Sequence, residues 1–254
     1  MKAVMLAAGV GNRLFGDDGT QLPKSLLRFE GKTLLQRHLE NLLDLGVEEL
    51  ELVCGFRMDE IVREAANWSP PGFIHPVQNK NYRKGSVISL STACSALRSG
   101  ESVLLMDADV LYDPAILHRL IGSESENCLL LDKACEDDDE SVKICIRDGE
   151  IIEFGKIVEG HFDLVGEWPG FLRMSPLIAA QLADASEVYV TEGKLDATCE
   201  FAIRDVLLSA PSGTFRFEDI SDLSWIEIDF PSDLEYAKNI VLPRINAGRT
   251  ENDV

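Results

Sequence analysis

"MLAAGVGNRLFGDDGTQLPKSL", Met5 to Leu26, decides how the rest of the chain is read. Val4 to Ala8 reads as a short apolar strand. It breaks at Gly9 and Gly11, and then come Arg13, two aspartates (Asp17, Asp18) and a Pro23-Lys24 pair. In an open parallel sheet, ligands bind at the carboxyl ends of the strands, which is where this loop falls. Two standard nucleotide loops fail here on identifiable residues. The fingerprint G-x-G-x-x-G needs glycine where Leu14 stands, and a P-loop laid on Gly11 and Gly16 meets Asp17 and Asp18 where Lys and Ser or Thr are required. What is left is a long loop with bare backbone at two glycines and with two cations, Arg13 and Lys24. Glycine lets main-chain N–H groups approach a ligand closely, and two cations reaching one place can neutralise a polyphosphate. A plain strand-to-helix turn with surface charges is the competing reading of the loop alone.

Outward from the loop, strands and helices alternate. "TLLQRHLENLLDLG" has Thr33 as N-cap, a stripe at Leu35, Leu39 and Leu42, and Gly46 as its stop. "ELELVCGF" is the next strand, followed by a helix from about Arg57 to Asn67, the "SPPG" turn and a third strand, "FIHPVQN". Ser86 is expected to cap a helix running to Gly100. "SVLLMDAD" is apolar without alternation, as in a strand buried on both faces. "DPAILHRLIG" has Asp113 as cap, Pro114 in its first turn and Gly122 as stop. Such alternation with short links predicts an α/β fold: a mostly parallel, Rossmann-like sheet with helices on both faces.

After residue 125 the pattern changes. "SVKICIRDGEIIEFGKIV" alternates at period two around Asp148-Gly149, a hairpin signal. "HFDLVGEWPGFLRMS" reads as another strand leading into a helix at Ser175-Pro176. We expect 125–190 to form a small mixed β lobe beside the sheet, within one domain spanning 1–254. "CEFAIRDVLL" then reads as a helix, "WIEIDF" as a strand and "PSDLEYAKNIVL" as the last helix, with a polar, frayed tail after Pro243. "EDDDE", 136–140, reads as a solvated loop tip.

Composition excludes several classes. The 254 residues are 45% apolar, enough to bury a large core. Lys and Arg number 24 against 44 Asp and Glu, for a net charge of -20. That excess argues against nucleic-acid or anionic-membrane partners, and it makes any basic residue lining a cleft more telling. No apolar run approaches the ~20 residues of a membrane helix. The N-terminal run is too short, and too soon interrupted, for a signal peptide. Six scattered cysteines, at 54, 94, 128, 135, 145 and 199, without a C-x-x-C pair suit reduced thiols in a cytoplasmic protein.

"LAAGVGNRL…PKSLL" resembles the L-A-A-G-x-G-x-R-[LM]…P-K signature of the nucleotidyltransferases that activate sugar phosphates and phospho-alcohols. "LLMDADVLY" is similar to that family's metal-binding strand end, and "WIEIDFPSDLEYA" to the E-[IV]-D-x-x-x-D segment of its phosphocholine cytidylyltransferase branch. The similarity spans nearly the whole chain and weakens in 125–200. It implies attack by an acceptor's phosphate or phosphonate oxygen on the α-phosphorus of a nucleoside triphosphate, CTP favoured, with pyrophosphate leaving. Phosphocholine, 2-aminoethylphosphonate and inositol 1-phosphate are the acceptors left open. A sugar-1-phosphate or molybdopterin-type enzyme, and a nucleotide-sensing subunit without catalysis, are the alternatives; a homodimer is left open.

The resemblance also implies roles. Arg13 and Lys24 would hold the triphosphate, with Lys24 near the reacting phosphorus. Leu6, Ala7, Ala8, Gly9 and Gly11 would form the nucleotide loop, and Gln78, Gly85 and Ser86 would read the base. Mg²⁺ would be held by Asp109 and its distant partner Asp229. Asp107, two residues from Asp109 and so on the same strand face, is a third candidate ligand that reads equally as a turn residue. Lys156 would clamp the acceptor phosphate, or is a solvated strand lysine. For a cationic head group, aromatic faces and carboxylates are wanted: Trp168, Trp225, Tyr82, Glu167 and Glu200 are candidates, and each tryptophan reads also as core or rim.

Overall fold

The computed structural model describes residues 1–16, 20–134 and 140–252, with side chains described up to residue 248. Asp17, Asp18 and most of the expected loop tip at 136–140 lie outside the described residues. Strand β1 (Lys2–Ala7) leads to the one-turn helix α1 (Asn12–Phe15). A 3₁₀ turn (Lys24–Leu26) and a small hairpin, β2 (Arg28–Phe29) and β3 (Lys32–Thr33), precede α2 (Leu34–Asp44). Then follow β4 (Glu49–Cys54), α3 (Met58–Asn67), β5 (Ile74–Gln78), α4 (Val87–Thr92), α5 (Cys94–Leu97), β6 (Val103–Asp107), β7 (Val110–Tyr112), α6 (Ala115–Gly122) and β8 (Cys128–Leu131). The second half contains β9 (Lys143–Arg147), β10 (Glu150–Gly155), β11 (Leu164–Glu167), β12 (Phe171–Met174), α7 (Pro176–Thr191), α8 (Cys199–Ser209), β13 (Arg216–Asp219) and β14 (Trp225–Glu227). It closes with α9 (Pro231–Tyr236), a π-helical segment (Ala237–Val241) and α10 (Leu242–Asn252).

Among the described residues the main sheet has seven strands in the order β13-β8-β12-β6-β1-β4-β5. All run parallel except β12, which is antiparallel to both β6 and β8. Both faces of the sheet are covered, and β1 and β6 accordingly carry unbroken apolar runs, Ala3 to Ala7 and Val103 to Met106. Along β1, Val4 enters the core beneath α4, α5, α7 and α8, while Ala3 and Met5 enter the core beneath α2, α3 and α6. In β6, Leu105 and its neighbours Leu104 and Met106 divide in the same way. Thr33 caps α2 by accepting from the Gln36 N–H at 3.0 Å.

The 125–190 stretch divides between two sheets. β9, β10 and β11 form a three-stranded antiparallel sheet, and β8 and β12 join the main one. The β9–β10 turn is Asp148-Gly149 with φ of 52° and 78°, the double positive-φ turn that matches the twist of a hairpin.

Two expectations need correction. Ser86 makes no side-chain cap, and the helix after it breaks at Ala93 into α4 and α5. Near the break Thr92 turns its hydroxyl back to the Ile88 carbonyl at 2.7 Å, a contact that bends helices. The tail after Pro243 is helical rather than frayed. Proline there cannot donate to the carbonyl four residues earlier and its ring crowds that carbonyl. The π-helical turn just before it, Ala237–Val241, absorbs the mismatch. Val241, Leu242 and Ile245 pack with Leu14, Phe29 and Ile228, so the C-terminal helix buttresses the loop that carries Arg13.

The five described cysteines are buried and unpaired. No described helix is long and apolar enough to cross a membrane. His38, on α2, is fully buried, with Nδ1 3.2 Å from the Tyr112 hydroxyl. Burial disfavours the imidazolium more than a hydrogen bond to the Ala108 backbone favours it, and the pKa falls to about 4. The unfolded chain therefore takes up this proton first. The stability tied to His38 is complete above pH ~6.5 and is lost as pH falls toward 4, by about 2 kcal/mol at pH 5. Buried carboxyls such as Glu51, pushed up to about 7 by burial, act in the opposite direction, so the comparison must be between variants. Urea unfolding at pH 7.5 and pH 5 is expected to show a smaller acid loss in His38→Gln than in the parent. Equal losses would contradict the assignment.

Candidate active site

The carboxyl edge of β1 and β6 opens into a cavity of about 380 Å³. Gly11, with φ 76°, turns the chain into α1, and a Cβ there would lie 3.3 Å from Lys24 Cγ. Glycine is thus required both for the turn and for the passage of the Lys24 stem. Arg13 stands on the single turn of α1, and Lys24 opens the 3₁₀ turn behind Pro23. Leu6, Ala7, Gly9, Gly11, Arg13 and Lys24 line the cavity. The Ser25 hydroxyl, on a residue only 3% exposed that lines this cavity, has no partner among the described residues. A buried, unsatisfied hydroxyl on a cavity wall is a donor waiting for a ligand.

Asp109 comes from the bend between β6 and β7, and Asp229 from just beyond β14. The β7–β14 pairing, continued by the Ile228 N–H donating to the Asp109 carbonyl at 3.0 Å, brings these distant residues together. Lys24 Nζ donates to Asp109 at 2.9 Å and to Asp229 at 2.5 Å. Arg13 donates to the other Asp229 oxygen and to Glu140, each at 2.7 Å. Burial works against charge on Lys24, but the fields of Asp109 and Asp229 exceed it and hold the ammonium above its ordinary range. Carboxylate oxygens of Asp109, Glu227 and Asp229 lie within 4.8 Å of one another. Three hard oxygen donors, two already gathered by one ammonium, fit a divalent cation in chemistry and spacing.

Asp107 stands apart from this cluster. β6 ends at Asp107 and the chain bends at Ala108-Asp109 to enter another sheet, so the same-face rule for residues two apart fails there. Asp107 leans instead against Gly170, the residue before β12: a Cβ there would meet its carboxylate at 2.6 Å. Burial, then the charges of Asp109, Glu227 and Glu200, raise its carboxyl well above the usual range, with Lys24 opposing. Glu227, the residue missed in the sequence, was legible in "EID" as the i−2 neighbour of Asp229. It is open to solvent by area yet deep among protein atoms; that environment, with Asp109 and Asp229, raises its carboxyl.

The remaining candidates scatter. Gln78 ends the edge strand β5, exposed and outside the cavity lining. Gly85 and Ser86 also lie outside it. A Cβ on Gly85 would fall 1.9 Å from the Ala197 carbonyl oxygen, and the Ser86 hydroxyl accepts from the Cys199 N–H at 2.8 Å, so both are engaged in docking the loop before α8. The Ala8 carbonyl accepts from the Phe56 N–H. Tyr82, expected on the acceptor side, lines the same cavity as Arg13 and Lys24, with Arg83 and Lys84. Lys156 reaches Glu140 at 3.3 Å, Glu167 lines a second chamber beside Asp229, and Glu200 sits in the first turn of α8. Trp168 is core, stacked edge-on against Phe154 with its N–H bonded to the Phe171 carbonyl.

Residues 3–145 match the family described as the MobA-like NTP transferase domain. Among curated proteins the chain is 30% identical over 248 residues to the CMP-5'-(3-aminopropyl)phosphonate synthase of Streptomyces rubellomurinus, covering 93% of this chain and 38% of that protein. It is 23% identical to the CTP:phosphoglutamine cytidylyltransferase of Campylobacter jejuni, covering 92% of this chain and 98% of that protein. The inositol-1-phosphate CTP transferase from T. maritima superposes with a TM-score of 0.76 at 22% identity, over 97% of this chain and 96% of that one. At that identity the superposition shows the fold.

Proposed function

Because the chain belongs to the MobA-like NTP transferase family, we propose that it is a Mg²⁺-dependent cytidylyltransferase that moves CMP from CTP to a small phosphorylated alcohol or phosphonate. The observation that carries this reading is the convergence of Lys24 and Arg13 on Asp229, with Asp109 alongside, at the mouth of the nucleotide-side cavity. The names of the relatives support CTP as donor and a small phosphorus acid as acceptor.

Such an acceptor is anionic at neutral pH and needs no general base. Its oxygen forms a bond to the α-phosphorus while the bond from that phosphorus to the β-bridging oxygen breaks, and pyrophosphate carries away the electron pair. The barrier comes mainly from bringing two anions together, so catalysis rests on position and charge. Lys24 and Arg13 neutralise the triphosphate, and the Gly9–Gly11 backbone and the Ser25 hydroxyl offer it hydrogen bonds. Asp109 and Asp229 would hold the dication, which when bound supplies Lewis-acid polarisation of phosphoryl oxygens.

The test crosses four nucleoside triphosphates with phosphocholine, 2-aminoethylphosphonate, inositol 1-phosphate and glucose 1-phosphate, reading pyrophosphate with and without Mg²⁺. CTP is expected to support release with at least one non-sugar acceptor, and chelation to abolish it. Absence of Mg²⁺-dependent release across the panel would leave a nucleotide-sensing protein instead.

A further inference from the structure

The loop that carries the cations is long, running from Gly9 to Pro23, and its last residues place Lys24. A chain of that length has slack, and an ammonium that must sit between Asp109 and Asp229 tolerates little of it. The turn between β4 and α3, Gly55 to Arg57, grips the chain on either side of this loop. On the near side the Phe56 N–H donates to the Ala8 carbonyl at 3.1 Å, and a Cβ on Gly55 would lie 2.8 Å from the same oxygen. On the far side Arg57 Nη1 donates to the Thr20 carbonyl at 3.2 Å and to the Gln21 carbonyl at 2.6 Å. Gln21 is only 6% exposed, so water competes poorly for that second bond.

The guanidinium is itself held. Its Nε and Nη2 donate to the two carboxylate oxygens of Glu60 at 2.6 and 2.7 Å. A bidentate pair fixes the plane of the fork as well as its place, so Nη1 is aimed at the loop. Neither the backbone nor the helix calls for arginine at this position. Arg57 adopts φ 49° and ψ 40°, a left-handed conformation that disfavours any residue with a Cβ, and it stands at the N-cap of α3 without a side-chain cap bond. Glycine would suit that backbone better, and serine or asparagine would cap the helix better. What arginine adds is the link from Glu60 to the two carbonyls.

From Gln21 the path to Lys24 is short and stiff. The Pro23 ring fixes φ there. The turn that follows is closed by the Leu26 N–H on the Pro23 carbonyl at 2.9 Å and the Leu27 N–H on the Lys24 carbonyl at 3.0 Å. A shift at Gln21 is therefore passed on to Lys24. We propose that Arg57 is a positioning residue for the transfer reaction: through the Thr20 and Gln21 carbonyls it sets where the Lys24 ammonium stands. Arg57 is outside the lining of the cavity, so it acts without touching the nucleotide. The inference rests on the cytidylyltransferase reading and adds to it a residue beyond the cavity.

The experiment uses Arg57→Gly, which removes the fork while glycine accepts the left-handed backbone and is tolerated at an N-cap. With CTP, Mg²⁺ and the best acceptor, kcat is expected to fall about 10–100-fold, the cost of a misplaced catalytic group. The same change made in Lys24→Met is expected to cost little more, because the group being positioned is already gone. A structural role would not give that result, since a general loosening lowers both backgrounds by the same factor. Hydrogen exchange read by mass spectrometry supplies a measure independent of turnover. Exchange over residues 20–27 is expected to quicken in Arg57→Gly, with α3 unchanged. Equal kcat losses in the two backgrounds, unchanged exchange over 20–27, or equal loosening of α3 each overturns the inference and leaves CMP transfer standing. If the parent turns over no acceptor, CMP transfer fails, and exchange alone decides whether Arg57 holds the Lys24 turn: selective loosening of 20–27 supports it, and any other pattern removes it.

Discussion

Replacing Lys24 with methionine is expected to lower kcat by about 10²–10³-fold, the usual loss when one preorganised charge is taken from a phosphoryl or acyl transfer site. Methionine keeps an unbranched stem, so the passage beside Gly11 at 3.3 Å survives and the ammonium is what is lost. The Lys24 side chain is only 15% exposed, so water cannot substitute for it. Its raised pKa also keeps it charged through the whole working range, so no pH adjustment should imitate the variant. Arginine should rescue poorly, because a planar fork does not occupy the point between Asp109 and Asp229 that one ammonium fills. The measurement is kcat at saturating nucleotide and acceptor. A loss confined to KM would place Lys24 in ground-state binding and remove it from the transition state.

The second large effect is expected at Asp229. Its two oxygens serve Lys24 at 2.5 Å and Arg13 at 2.7 Å, and it is also in the carboxylate cluster suited to a dication. Asp229→Asn should therefore cost about 10²-fold or more in kcat/KM and raise the Mg²⁺ concentration for half-activation by at least the 10–100-fold seen for lesser metal-site changes. Asp107→Asn is the control. Its carboxyl is held toward the protonated form, which an amide resembles, and it leans on Gly170 rather than on the cluster. Less than a tenfold loss is expected there. A larger loss at Asp107 than at Asp229 would reverse the assignment of the metal ligands.

Local patterns carried most of the architecture. Thr33 before a leucine stripe, Asp148-Gly149 between alternating runs and the unbroken apolar run of β6 each express short-range physics, and each appears as expected. The two failures, at Ala93 and Pro243, occur where a local rule met a compensating contact. A threonine bonded back to its own helix in the first case, and a π turn accommodated a proline in the second. That Gly9, Gly11, Arg13 and Lys24 share one cavity wall was legible because close backbone approach and paired cations leave a mark in adjacent residues. Gly85 is less legible, since a glycine reports only that something comes near. Here the something is the Ala197 carbonyl.

The chain's own order of residues thus determined the α/β alternation, the glycine loop, its two cations and an aspartate, Asp109, just past a buried strand. All of these depend on neighbours a few positions apart. Only the folded chain decided that Glu227 joins Asp109 and Asp229, and that Asp107 does not. Those facts come from β14 pairing with β7 across more than a hundred residues, and from a bend between two sheets that cancels the period-two rule. Side-chain spacing along a strand is a local property. Which strands become neighbours is set by how the entire core packs, and no short window of sequence contains that information.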